Sequence, residues 1–186
     1  MPKVSEAHLE ARREQILGGA RRAFARHGYH GATVAKLEQE TGLSRGAIFN
    51  YYPDKWSLFL ALVQSDRHRF YDTLQQEGLD GLLRLLTEEN PEWLAVYFEL
   101  AHLFRTRPEL MDDLKDAAPE MAEQSLALFE SWQRDGEVRS DVSLETTIHF
   151  MNVVANGIAL STSLGDTFDV DQFLELVHTG IDPRPK

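Results

Sequence analysis

Within seven residues, from Ser44 to Asn50, the chain carries a serine, an arginine, a glycine and an asparagine. Those residue types can read nucleic-acid bases. The Arg45 guanidinium can donate a two-pronged fork to guanine O6 and N7, and the Asn50 amide can pair with the adenine edge. Gly46 has no side chain, so the backbone there can come close to a duplex. Ser44 opens the same turn. Thr33, Tyr51, Tyr52 and Lys55 carry donors suited to phosphate, which sets register but reads no sequence. A plainer reading is a helical corner with solvated Arg and Lys.

These residues need a rigid frame, and the surrounding sequence predicts one. Thr33 can cap a helix with its hydroxyl. Val34, Leu37 and Thr41 fall on one face of that helix at helical spacing. Gly42 ends it, since glycine tolerates the left-handed backbone of a sharp exit. Leu43 plugs the corner and Ser44 caps the next helix, whose inward positions are Ala47, Ile48 and Tyr51 or Tyr52. Pro53 ends that helix, and Asp54 caps a third. Two helices across a short glycine-containing turn form a helix-turn-helix, whose second helix enters the major groove of DNA.

The order of residues is more specific than that general motif. Thr33, Leu37-Glu38, Thr41-Gly42-Leu43-Ser44, Gly46, Phe49-Asn50-Tyr51-Tyr52 and Lys55-Trp56-Ser57-Leu58 resemble the DNA-binding head of the TetR family of bacterial regulators. Upstream, Ile16, Ala20, Phe24 and His27-Gly28-Tyr29 resemble that family's first helix and its exit. Glu38 stands where the family usually has alanine, and Tyr51 where histidine is common. Leu37-Glu38, the run Ser44 to Phe49, Asp54-Lys55 and Leu58 to Leu62 are similar to the aconitase repressor branch. The resemblance spans residues 10 to 62. It implies an all-α fold of about nine helices. A three-helix DNA-binding domain would occupy 1–54, and a helical ligand-binding and dimerisation domain 55–186. It further implies double-stranded operator DNA as partner, a homodimer, and a small-molecule effector held between helices 4 to 8.

Charge does not decide the matter. The 186 residues carry a net charge of −11. Residues 1 to 55 hold nine Lys/Arg against six Asp/Glu, a net of +3, and the remaining ten Lys/Arg face 24 Asp/Glu, a net of −14. Charges separated by more than roughly 8 Å are largely screened in physiological salt. A mildly basic head on an acidic body is therefore compatible with phosphate binding. The absence of cysteine excludes a disulfide framework or a thiolate metal site. No apolar run approaches the roughly 18 residues of a membrane span, and the N-terminus is charged, so a cytoplasmic protein is expected.

The body reads as helices throughout. The first helix spans about 6 to 27, with Arg12, Arg13, Arg21, Arg22 and Arg26 opposite its apolar stripe. The fourth runs from Asp54 to about Gln75, with a break at Gly78 and Gly81. Asn90-Pro91 starts a helix to about 105 that offers Tyr97, Glu99, His102 and Arg105 to a ligand. A helix from Ser143 to about Ser163 carries His149, Asn152 and Asn156 on one face. Buried polar groups there need partners, and a small polar or anionic effector would supply them. They could instead bond each other or cross a dimer interface. Citrate with a metal ion is the effector that the branch resemblance implies, with no cofactor obligatory. Ala155, Gly157, Ala159 and Ser161 allow close helix approach in a dimer. The N-terminal arm, with Lys3, could reach a groove.

Catalysis finds little support. Ser44 and Ser57 lack an elbow motif, and no glycine-rich phosphate loop is present. The expectation is a dimeric, ligand-responsive repressor at a palindromic operator. The alternative is a small-molecule-binding or interaction protein that keeps the fold without operator recognition.

Overall fold

The structure is a computed structural model and describes residues 6–116 and 119–183, with backbone only at 101, 102, 115, 119, 121 and 122. Lys3 and the side chain of His102 lie outside the described residues. All the regular elements among the described residues are helices: α1 (Glu6–Gly31), α2 (Val34–Thr41), α3 (Arg45–Phe49), α4 (Lys55–Glu88), α5 (Pro91–Glu99), α6 (Ala101–Thr106), α7 (Glu109–Asp116), α8 (Pro119–Asp135), α9 (Leu144–Ser163) and α10 (Val170–Ile181). The all-helical expectation holds. Several boundaries moved: α1 runs on to Gly31 through non-helical backbone at Gly28. The predicted helix from 91 to 105 is divided at Leu100, and α4 continues to Glu88 with its only non-helical backbone at Gly78.

Packing divides the chain into two compact units. One holds residues 1–66 and 92–117, the other 67–91 and 118–186. The packing units do not follow the division at residues 54 and 55, because α5 to α7 group with α1 to α3.

The first unit is built on an aromatic core. Ile16, Ala20, Ala23 and Phe24 recur along the inner stripe of α1 and are fully buried. Leu37, Ile48, Leu58, Phe59, Trp93 and Leu100 join them from the other helices. Phe24 lies 6.3 Å from Phe59 and 6.4 Å from Trp93, ring centre to ring centre. Each such side chain withdrawn from water stabilises the fold by about 1.5–3 kcal/mol. Gly19 brings α1 against α2: a β-carbon on it would stand 2.6 Å from the Thr41 Cα. Gln15 then donates to the Thr41 carbonyl at 2.9 Å, satisfying an end of α2 that the helix leaves open.

A second tie holds the exit of α1. Gly28 has φ 67°, a left-handed backbone that bends the helix before Tyr29. The Glu99 carboxylate accepts the N–H groups of Tyr29 at 2.7 Å and His30 at 3.1 Å. A side chain on Gly28 would collide with that carboxylate at 2.5 Å.

The second unit packs the later part of α4 against α8, α9 and α10. Leu83 and Leu86 meet Phe129, Met151, Ile158, Leu174 and Val177. The inner face of α9 runs Thr147, Met151, Ile158 and Thr162.

Candidate nucleic-acid interface

The helix-turn-helix forms as its residues predict, with two corrections. Gly42 takes φ 71° and its N–H bonds the Glu38 carbonyl, which turns the chain out of α2. Ser44 caps α3, its hydroxyl accepting the Ala47 N–H at 3.4 Å. Asp54 caps α4 through the Ser57 N–H at 2.7 Å. Thr33 occupies the cap position of α2, but its hydroxyl makes no capping bond; the exposed side chain points its chemistry outward instead. The second correction is length. Helix α3 is five residues long and ends before Asn50. Tyr52 precedes Pro53, and that position disfavours helical backbone.

What remains outside is a compact set of donors. Ile48 is fully buried on the inner side of α3, while Ser44, Arg45, Gly46 and Asn50 are exposed. The Arg45 guanidinium lies 6.0 Å over the Phe49 ring, which holds it along the outer face. A β-carbon on Gly46 would meet no atom within 4 Å. Packing inside this chain therefore does not explain the glycine. Tyr51 and Tyr52 are half-buried against the core. Burial raises the Tyr52 hydroxyl pKa above 10.0. Lys55 is partly committed: its Nζ donates to the Tyr29 carbonyl at 2.8 Å and sits 4.5 Å over the Tyr29 ring. Burial lowers its pKa below 10.5, and burial likewise pushes the Tyr29 hydroxyl up to about 12.

The basic face of α1 proves largely internal. Glu40 pairs with Arg22 at 3.2 Å and Arg26 at 2.6 Å. Arg12 bonds Gln15, and Arg13 bonds Glu10. Arg21 pairs with Asp66, which is 2 % exposed. Asp66 also accepts the Trp93 indole N–H at 2.8 Å and the Tyr97 hydroxyl at 2.9 Å. Sequence reasoning missed this buried carboxylate, because its partners come from positions 45 residues before it and about 30 after it.

Sequence reasoning also missed the role of Glu38. Its carboxylate reaches across the turn and accepts the Arg45 N–H at 2.7 Å. The side chain that departs from the common alanine thus caps α3 rather than disturbing the packing of α2.

The expected effector residues are divided between the two packing units. Tyr97 and Arg105 belong to the first unit, and His149, Asn152 and Asn156 to the second. Tyr97 is held by Asp66, and Arg105 is exposed at the end of α6. His149, Asn152 and Asn156 share one face of α9 as predicted, but that face is exposed. The reason is phase: Met151 and Ile158 turn inward, so the three polar residues turn out beside Phe150, Val153 and Leu160. A cavity of about 800 Å³ in the second unit is lined by Val154, Gly157, Ser161, Thr167 and Phe168 among others, and none of the expected effector residues lines it. Among the described residues no three His, Asp or Glu side chains cluster as a metal site.

Comparison with known proteins bears on this geometry. Residues 16–62 match the profile of bacterial regulatory proteins of the tetR family, and residues 75–183 match the C-terminal profile of BetI-type transcriptional repressors. The chain is 39% identical over 184 residues to the HTH-type transcriptional repressor Rv1474c of Mycobacterium tuberculosis, covering 97% of this chain and 98% of that one. It is 37% identical over 191 residues to the HTH-type transcriptional repressor AcnR of Corynebacterium diphtheriae, covering 97% of each. Among solved structures, GusR of Salmonella enterica superposes with a TM-score of 0.74 at 19% identity, over 95% of this chain and 97% of that one, a likeness of fold.

Proposed function

Because this chain belongs to the TetR family of transcriptional regulators, we propose that it is a ligand-responsive repressor that binds a two-fold symmetric operator as a homodimer and reads it with α3. The observation that carries the reading is the outward set Ser44, Arg45, Gly46 and Asn50, on α3 and its two caps, while the inner residue Ile48 is fully buried. Arg45 and Asn50 supply base-edge chemistry, and Thr33, Tyr51, Tyr52 and Lys55 supply phosphate contacts. Glu38, as a departure from the family's usual alanine, would favour a protein without operator recognition if it disturbed the motif. As a cap of α3 it supports the opposite.

Dimerisation draws support from α9 and α10. Val153, Leu164 and Leu176 are 56%, 70% and 72% exposed, and Phe150 and Leu160 lie on the same side of α9 as Val153. An exposed apolar stripe of this kind marks an interaction surface. Two-fold pairing serves geometry, because two recognition helices must reach major grooves about 34–36 Å apart. The effector is a small molecule whose different affinity for two states of the dimer shifts it off the operator. The two close relatives are named as repressors rather than enzymes. DNA in the cytoplasm is the partner, and no described helix is long and apolar enough to cross a membrane.

Selection of duplexes from a random pool tests the reading. The recovered sequences should show two-fold symmetry, and log affinity should fall steeply with log salt. Recovery of no common sequence by a folded dimer would sink it.

A further inference from the structure

We propose that Glu38 is a positioning residue for DNA reading: its carboxylate fixes the first turn of α3, so that Arg45 engages base edges rather than phosphate. The inference rests on the assignment of Arg45 as a base reader.

Glu38 holds both ends of the turn. Its carbonyl accepts the Gly42 N–H at 2.9 Å, and its carboxylate accepts the Arg45 N–H at 2.7 Å. Helix α3 has five residues, too few to be stable by its own hydrogen bonds. Its first N–H groups have no partners inside the helix. Ser44 supplies one acceptor at the longer distance of 3.4 Å. The Glu38 bond is the shorter and charge-assisted one, and such bonds are the stronger kind. It anchors the backbone of the residue whose side chain is to read a base.

The charge has a second effect. A fixed carboxylate repels phosphate at short range. Glu38 places such a carboxylate beside the start of α3, bound to the Arg45 N–H. Phosphate is thereby turned away from the start of α3, and the Arg45 guanidinium, resting over Phe49, is left for the groove. Because Glu38 engages the backbone of Arg45 rather than its guanidinium, it takes nothing from the reading group.

Three variants of the full chain decide this: Glu38→Ala, Glu38→Gln and Arg45→Ala. Each is passed through selection from random duplex DNA, then titrated with the selected duplex and with a scrambled one. Glu38→Ala should lose base preference at the positions that Arg45→Ala erases. Its ratio of selected to scrambled affinity should fall about tenfold, the scale of one base contact, while scrambled binding tightens. Glu38→Gln keeps an oxygen that can accept the Arg45 N–H, so its base preference should survive while its scrambled binding also tightens. Unchanged preference in Glu38→Ala, or a loss in Glu38→Gln as large as in Glu38→Ala, overturns the proposal. If Glu38→Ala fails to fold, Glu38→Gln decides alone: retained preference with tighter scrambled binding supports the proposal, and lost preference or unchanged scrambled binding overturns it. If Arg45→Ala leaves the motif intact, the base-reading assignment fails and takes this proposal with it. If Arg45→Ala erases preference and Glu38→Ala does not, only the role of Glu38 fails.

Discussion

At the scale of single residues, Asp66 is the most consequential side chain outside the reading helix. It is almost fully buried and takes donors from Arg21, Trp93 and Tyr97. Removing one partner of a buried ion pair leaves the other uncompensated and costs about 3–5 kcal/mol. Asp66→Ala should therefore lose about 3 kcal/mol or more of stability, measured by urea unfolding; a loss below about 1 kcal/mol would place the pair in the weak surface class. His178 offers a pH test. It bonds Asp182 at 3.0 Å and Asp80 at 2.7 Å, and those bonds, Asp182 first, raise its pKa above 6.5. A raised folded pKa stabilises most below the unfolded value and is lost as pH rises through the folded one. The stability advantage of the natural chain over His178→Gln should thus be present at pH 5.5 and should have shrunk by about pH 9. An advantage that grows with pH would contradict the bonding.

Among elements, the α1–α2 contact is the clearest constraint. Gly19 meets the Thr41 backbone where a β-carbon would stand at 2.6 Å. Gly19→Val should cost about 1–3 kcal/mol by overpacking, seen as a lower unfolding temperature and weaker DNA binding. An unchanged temperature would mean that α2 can shift freely. The element scale also shows what the sequence made legible. The turn at Gly42, the caps at Ser44 and Asp54 and the core face of α1 follow from local rules, and the structure has them. The inner face of α9 did not follow. That helix has apolar residues on both sides, Met151 and Ile158 inside and Phe150, Val153 and Leu160 outside. Periodicity identifies a stripe but cannot distinguish a core stripe from an interface stripe, so the polar residues near either were open to misplacement. Glu38 and Asp66 were illegible for another reason: their partners are set by tertiary approach, not by spacing.

For the whole molecule, the proposed reading requires two paired heads, so surface changes in the second unit should abolish it. Val153→Glu with Leu164→Glu places charge on the exposed stripe of α9 and its C-terminal cap while sparing Met151 and Ile158. This variant should be monomeric by light scattering, keep its unfolding cooperativity and lose tight operator binding. A dimer that still binds would move the interface elsewhere. The central claim is that α3 reads sequence through Arg45 and Asn50. Its most direct measurement is the affinity of Arg45→Ala/Asn50→Ala for a duplex selected by the natural chain, compared with a scrambled duplex. At about 1–3 kcal/mol for each base contact, the preference should fall by about a hundredfold and approach none. The double variant should still be a folded dimer. Retention of the natural preference by that folded dimer would contradict the account.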